Sequence, residues 1–150
     1  FADLTVCENM LLAAKQASRA SQMDAARLEW IFGIFPAVKK FWNAPAGKLS
    51  GGQKQMLAVA RAIVEPRKLL IVDEPSKGLA PAIINNMIDA FLQLKATGTT
   101  ILLVEQNIHF AKRLGDHVAV MDNGKVIHAS TMQVLAEDAA LQQKLLGLAL

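Results

Sequence analysis

The chain has 150 residues, 53% of them hydrophobic and 19% charged, which suits one domain with its own core and excludes a disordered segment. A net charge of +3 is mildly basic, and the Lys39-Lys40 and Arg67-Lys68 pairs stand isolated, so no clustered track for nucleic acid is present. No apolar run approaches the ~18–20 residues that span a bilayer, and no basic-then-apolar signal segment is visible. Cys7 is alone, so an internal disulfide is impossible; it reads as a small buried hydrophobe in a reducing compartment.

Residues 1 to about 64 are predicted to be helical. Thr5-x-x-Glu8 has capping-box spacing, and Leu11, Leu12 and Ala14 follow on helical periods. Ser21-x-x-Asp24 predicts a second helix through Leu28, Trp30, Ile31 and Phe32, and Pro36 opens a short third one to Trp42. Asn43-Ala44-Pro45-Ala46-Gly47 is a breaker cluster and reads as a loop. Ser50-Gly51-Gly52-Gln53 then starts a helix with a second capping box.

Beyond Pro66 the pattern changes. Leu69 to Val72, Ile101 to Val104 and Val118 to Met121 are apolar runs expected to form strands buried on both faces. Pro81 to about Lys95 is an amphipathic helix with Ile84, Met87, Ile88, Phe91 and Leu94 on one face, and Gly98 ends it. Ile108 to Leu114 supplies a shorter helix. Asp122-Asn123-Gly124 predicts a hairpin turn into Lys125 to Ala129, and Met132 to Leu146 closes with one or two helices. Strand–helix–strand order makes the second half α/β.

Two strings carry chemistry. In Leu49-Ser50-Gly51-Gly52-Gln53 the two glycines would let an outside group approach the first-turn amides, which together with the helix dipole favour an anion. The same residues also fit an ordinary capped helix. Leu69-Leu70-Ile71-Val72-Asp73-Glu74-Pro75 delivers two adjacent carboxylates to the C-terminal end of a strand, where open α/β sheets bind ligands. Such a pair repels itself unless a cation or a proton intervenes. His109, His117 and His128 have no metal-ligand spacing and read as structural, and the dispersed methionines read as packing.

The pair of strings resembles the signature motif and Walker B strand of ABC-type ATPases, and the resemblance covers nearly the whole chain. It implies an α/β, P-loop NTPase-like fold, here the C-terminal part, with an α-helical subdomain ahead of a partial, mostly parallel sheet. The implied parts are a helical subdomain with the signature helix at 1–64, a partial α/β ATPase core at 65–130, and C-terminal helices at 131–150. By the same resemblance, Leu49, Ser50, Gly51, Gly52 and Gln53 engage ATP held by a partner subunit, Asp73 holds Mg2+ through water, and Glu74 orients and polarises the attacking water. Pro75-Ser76-Lys77-Gly78-Leu79-Ala80-Pro81 resembles the D-loop that crosses the dimer interface, with Ala80 where most members have aspartate. Gln106 stands where many members have a phosphate-sensing histidine; it can hydrogen-bond but not relay a proton.

Ala80 and Gln106, with Phe35-Pro36, Gln55-Met56-Leu57-Ala58 and Val104-Glu105-Gln106-Asn107, resemble the ATPases of branched-chain amino acid importers; importers of urea and short amides share these features. The implied partners are a second ATPase subunit (as a homo- or heterodimer), membrane permease subunits and, indirectly, a periplasmic solute-binding protein, with no nucleic acid. The implied location is peripheral, on the cytoplasmic face of the inner membrane. Leu4 to Lys48 would face the permease, with Phe41 and Trp42 as contacts or as core aromatics. The phosphate-gripping string G-x-x-x-x-G-K-[ST] is absent: Gly47-Lys48 and Gly124-Lys125 are the only Gly-Lys pairs and neither completes it. The chain therefore reads as the C-terminal part of a longer ATPase, inactive by itself. Two other readings stay open: a non-transport ABC ATPase, and a P-loop-less interaction module.

Overall fold

The computed structural model describes residues 1–15 and 17–147, so Gln16 and the last three residues of the expected 131–150 segment lie outside the described residues. By contacts along the backbone the chain divides into a unit of residues 1–105 and a unit of residues 106–150.

The first unit begins with α1 (Val6–Leu11), whose capping box is present: Glu8 N–H donates to Thr5 Oγ1 at 3.1 Å and Thr5 N–H donates to Glu8 Oε2 at 2.7 Å. The Thr5 amide first and the Thr5 hydroxyl second, both donating to Oε2, hold the Glu8 carboxyl below its ordinary range. Cys7 is only half-buried; burial first and Glu8 second push its thiol up. The next helix starts later than the Ser21-x-x-Asp24 spacing suggests. Ser21 lies in a single 3-10 turn, and α2 (Ala25–Ile34) is capped by Asp24 itself, whose Oδ1 accepts from Arg27 N–H at 3.0 Å. Helix α3 (Pro36–Lys40) stops short of Trp42, which is half-buried edge-on to Phe32 with ring centroids 5.2 Å apart. Helices α1 and α3 both pack on α4 (Gly51–Ile63), which buries Met56, Leu57, Val59, Ala60 and Ile63.

Strand β1 (Leu69–Asp73) and strand β2 (Thr100–Val104) form a parallel pair in the register Leu69 to Thr100 through Asp73 to Val104. The crossover is α5 (Pro81–Ala96), which buries Met87, Ile88, Ala90, Phe91 and Leu94 and is followed by Gly98 at φ +82°. The expectation of strands buried on both faces is corrected here. Leu70 is buried, but Leu69, Ile71, Leu102 and Val104 are each more than half exposed on the alternate face, because no described residue covers that side of the two-stranded sheet.

In the second unit, α6 (Ile108–Leu114) precedes β3 (His117–Asp122) and β4 (Lys125–Thr131), an antiparallel hairpin with a bulge at Val120/Met121. Asn123 at φ 46° and Gly124 at φ 75° make the two-residue turn that the sequence predicts. Two helices follow, α7 (Met132–Glu137) and α8 (Ala139–Leu146), and Val120, Met132 and Leu135 form the core with Ile108 and Leu141 against it. Gly115 is tightly packed: a Cβ there would lie 2.7 Å from the Met132 Cε end of a flexible side chain and 3.0 Å from the Ala111 carbonyl. Among the described residues the strand ladders are one parallel and one antiparallel pair, which corrects the expected mostly parallel sheet: the third apolar run pairs with its own hairpin partner.

Candidate functional site

The N-terminus of α4 takes the capped form. Ser50 N–H donates to Gln53 Oε1 at 2.9 Å and Gln53 N–H donates to Ser50 Oγ at 3.4 Å. The Lys54 amide bonds to the Ser50 carbonyl, leaving the Gly51 and Gly52 amides with no acceptor among the described residues. Leu49 is buried and anchors the approach, while Ser50 and Gly51 are exposed.

The two glycines serve different ends. A Cβ at Gly51 would meet nothing within 4 Å, so open space lies beside this residue. A Cβ at Gly52 would lie 3.1 Å from Ile83 Cγ2 and 3.7 Å from Leu79 Cδ2, so this glycine lets α4 sit against the start of α5. The sequence gives both to ligand approach; the second has a packing role as well. Ser50→Ala removes the cap oxygen and is expected to cost about 0.5–2 kcal/mol, read as a lower denaturant midpoint at constant slope.

The carboxylates lie at the C-terminal end of the parallel pair. Asp73 is exposed and ends β1; Glu74 follows at φ +44°, outside the usual range for a side-chain-bearing residue, with its amide donating to the Val104 carbonyl at 2.9 Å. That backbone turn breaks the strand between the two acids. Glu74 Oε2 accepts a short hydrogen bond from Lys77 Nζ, and this ion pair, with Asp73 adding to it, raises the Lys77 pKa above its ordinary value. Glu105, one residue past β2, accepts from the Ser76 amide at 2.8 Å and so ties the Pro75–Gly78 turn to the neighbouring strand. Neither Lys77 nor Glu105 was singled out by sequence; the only available signal was a charged residue within three positions of the carboxylates or at the matching end of the next strand.

Gln106 is exposed and is the first residue of the second unit. Among the described residues no group of three His, Cys, Asp or Glu side chains could hold a metal ion by itself.

The ABC transporter family pattern matches residues 1–77, which contain the capped glycine turn and both carboxylates. This chain belongs to the ABC transporter ATP-binding family. Among its relatives, the high-affinity branched-chain amino acid transport ATP-binding protein BraG of Pseudomonas aeruginosa is 35% identical over 147 residues, covering 98% of this chain and 62% of that protein. The probable branched-chain amino acid transport ATP-binding protein LivF of Archaeoglobus fulgidus is 35% identical over 149 residues, covering 99% of this chain and 62% of its own. The chain thus spans about 62% of the length of these curated relatives. Among solved structures, an ATP-binding cassette of an ABC transporter in its ADP conformation superposes with a TM-score of 0.71 at 25% identity, covering 94% of this chain and 62% of that one. A dimeric post-hydrolysis cassette bound to ADP and Pi shares the fold at TM-score 0.74 and 22% identity, over 88% of this chain and 58% of that one. The ATPase fold expected from the sequence is therefore the fold of this family.

Proposed function

We propose that the chain is the signature and Walker B part of an ATP-hydrolysing importer subunit whose solute is a branched-chain amino acid. One observation carries the ATPase reading: a single unit holds both the unpaired amides of Gly51 and Gly52 at a helix N-terminus and the Asp73–Glu74 pair at a parallel strand end. The two relatives at 35% identity support the solute.

Ser50, Gly51, Gly52 and Gln53, with Leu49 anchoring them, would take the terminal phosphate of ATP held by a partner subunit. Open space at Gly51 and orphan first-turn amides suit such an anion. Asp73 suits magnesium, a hard cation that prefers one or two carboxylates and keeps several waters, because its carboxylate is exposed at the strand end. When bound, magnesium offsets phosphate charge. Glu74 takes the proton of the attacking water, and Gln106 would donate a hydrogen bond to phosphate. The working division is a helical subdomain at 1–64, an ATPase core at 65–130 and a C-terminal segment at 131–150. Phe41 and Trp42, both half-buried, stand in the part that would meet a permease.

The subunit would pair with a second copy or a related subunit and bind permease subunits from the cytoplasmic face of the inner membrane, with a periplasmic solute-binding protein reached through the permease. Among the described residues no helix is long and apolar enough to cross a membrane.

A second reading is an interaction module with no turnover of its own. Calorimetric titration separates them. A polypeptide of these 150 residues is expected to show neither micromolar ATP binding nor magnesium-dependent phosphate release, while a full-length protein that includes a P-loop shows both. Turnover by the 150 residues alone would overturn the division of labour, and an inert full-length protein would favour the interaction module.

A further inference from the structure

The turn after the carboxylates holds a cation that the reaction does not require. Residues 74–78 are shaped by two left-handed positions, Glu74 at φ +44° and Gly78 at φ +71°, and by the Lys77 amide donating to the Glu74 carbonyl at 3.2 Å. Pro75 and Ser76 are buried, and Glu105 holds the Ser76 amide, so the turn is fixed from behind. Lys77 itself is exposed, its side chain 75% accessible, and its ammonium folds back onto the Glu74 carboxylate, which is 23% accessible. Exposed lysines usually keep their ammonium hydrated because ordering a long side chain costs rotamer entropy. Here the ammonium meets the Glu74 carboxylate, and the neighbouring Asp73 charge adds to the attraction.

We propose that Lys77 is a positioning residue that ties up the Glu74 carboxylate as an ion pair and slows turnover until its ammonium swings away. This rests on Glu74 being the general base. The ammonium donates to Oε2, so that oxygen is engaged and is not available to the hydrogen of the attacking water. Hydrolysis then requires Nζ to leave Oε2 before the water hydrogen bonds there. Lys77 lies in the segment that resembles the D-loop, so a partner subunit meeting that segment is the natural agent of release. Ion pairs this exposed are weak, and the brake is correspondingly modest.

The test uses the full-length protein without permease, at saturating magnesium-ATP, with Lys77→Ala, Lys77→Met (which keeps the apolar stem) and Lys77→Arg. The proposal expects kcat to rise about three- to fivefold in the first two with KM for ATP unchanged, and Lys77→Arg to stay at the parental rate. A fall or no change in kcat for both neutral variants overturns it, as does a raised KM, which would put Lys77 on the nucleotide. Lys77→Arg behaving like Lys77→Ala would also overturn it, since charge would then not be the cause. Glu74→Gln separates the two levels. If it abolishes turnover while the Lys77 variants change nothing, only the brake is wrong; if it leaves turnover intact, the base assignment and the brake fall together.

Discussion

Glu74→Gln in the full-length protein is expected to abolish ATP turnover while leaving nucleotide binding in place. Glu74 is held at the end of β1 by the hydrogen bond its backbone N–H donates to the Val104 carbonyl, so a glutamine side chain would start from the same position. It cannot take the proton of the attacking water, and loss of a general base typically costs roughly 10²–10⁴-fold. Because the nucleotide persists, the ATP-bound dimer should accumulate. Phosphate release under saturating ATP, read beside the dimer fraction by size-exclusion chromatography, checks both halves. Near-normal turnover would move the base role to another residue, Gln106 excluded by its lack of a titrating group.

Gly51→Asp is expected to fold, to bind ATP at its own P-loop in the full-length protein, and to fail at ATP-driven dimerisation. Folding is expected because a Cβ at Gly51 meets open space, its φ is not left-handed, and a carboxylate near a helix N-terminus suits the dipole. Dimerisation fails because that carboxylate would compete for the Gly51 and Gly52 amides and repel the terminal phosphate. Analytical ultracentrifugation with ATP in the Glu74→Gln background decides it. A variant that dimerises like its parent would leave the glycine turn as a helix cap only. Gly52 makes the poorer test: its Cβ would press on Ile83, so lost function there would mix packing with phosphate contact.

Much of the local architecture was legible without coordinates. The Thr5–Glu8 and Ser50–Gln53 boxes, the Asn123-Gly124 turn, the proline-initiated α5 and the strand–helix–strand order all appear where the residues suggest. Each depends on hydrogen bonds or backbone preferences spanning a few residues, so neighbours in sequence decide them. The Asp24 start was misjudged by one cap: serine and aspartate at three-residue spacing both fit, and a 3-10 turn took the first.

The sequence by itself determined the family-defining strings, the capped glycine turn, and the delivery of Asp73 and Glu74 to a strand end. Only the tertiary structure decided which face of β1 and β2 is covered, that Gly52 answers to Ile83 while Gly51 faces open space, and that Glu105 holds the Ser76 amide across 29 positions. It also decided that Glu74 turns into the left-handed region and meets Lys77 across an irregular turn rather than along a helix. The reason is common to all four: each depends on where a separate element or an irregular turn places its atoms, and residue type fixes what a group can do but not what stands beside it.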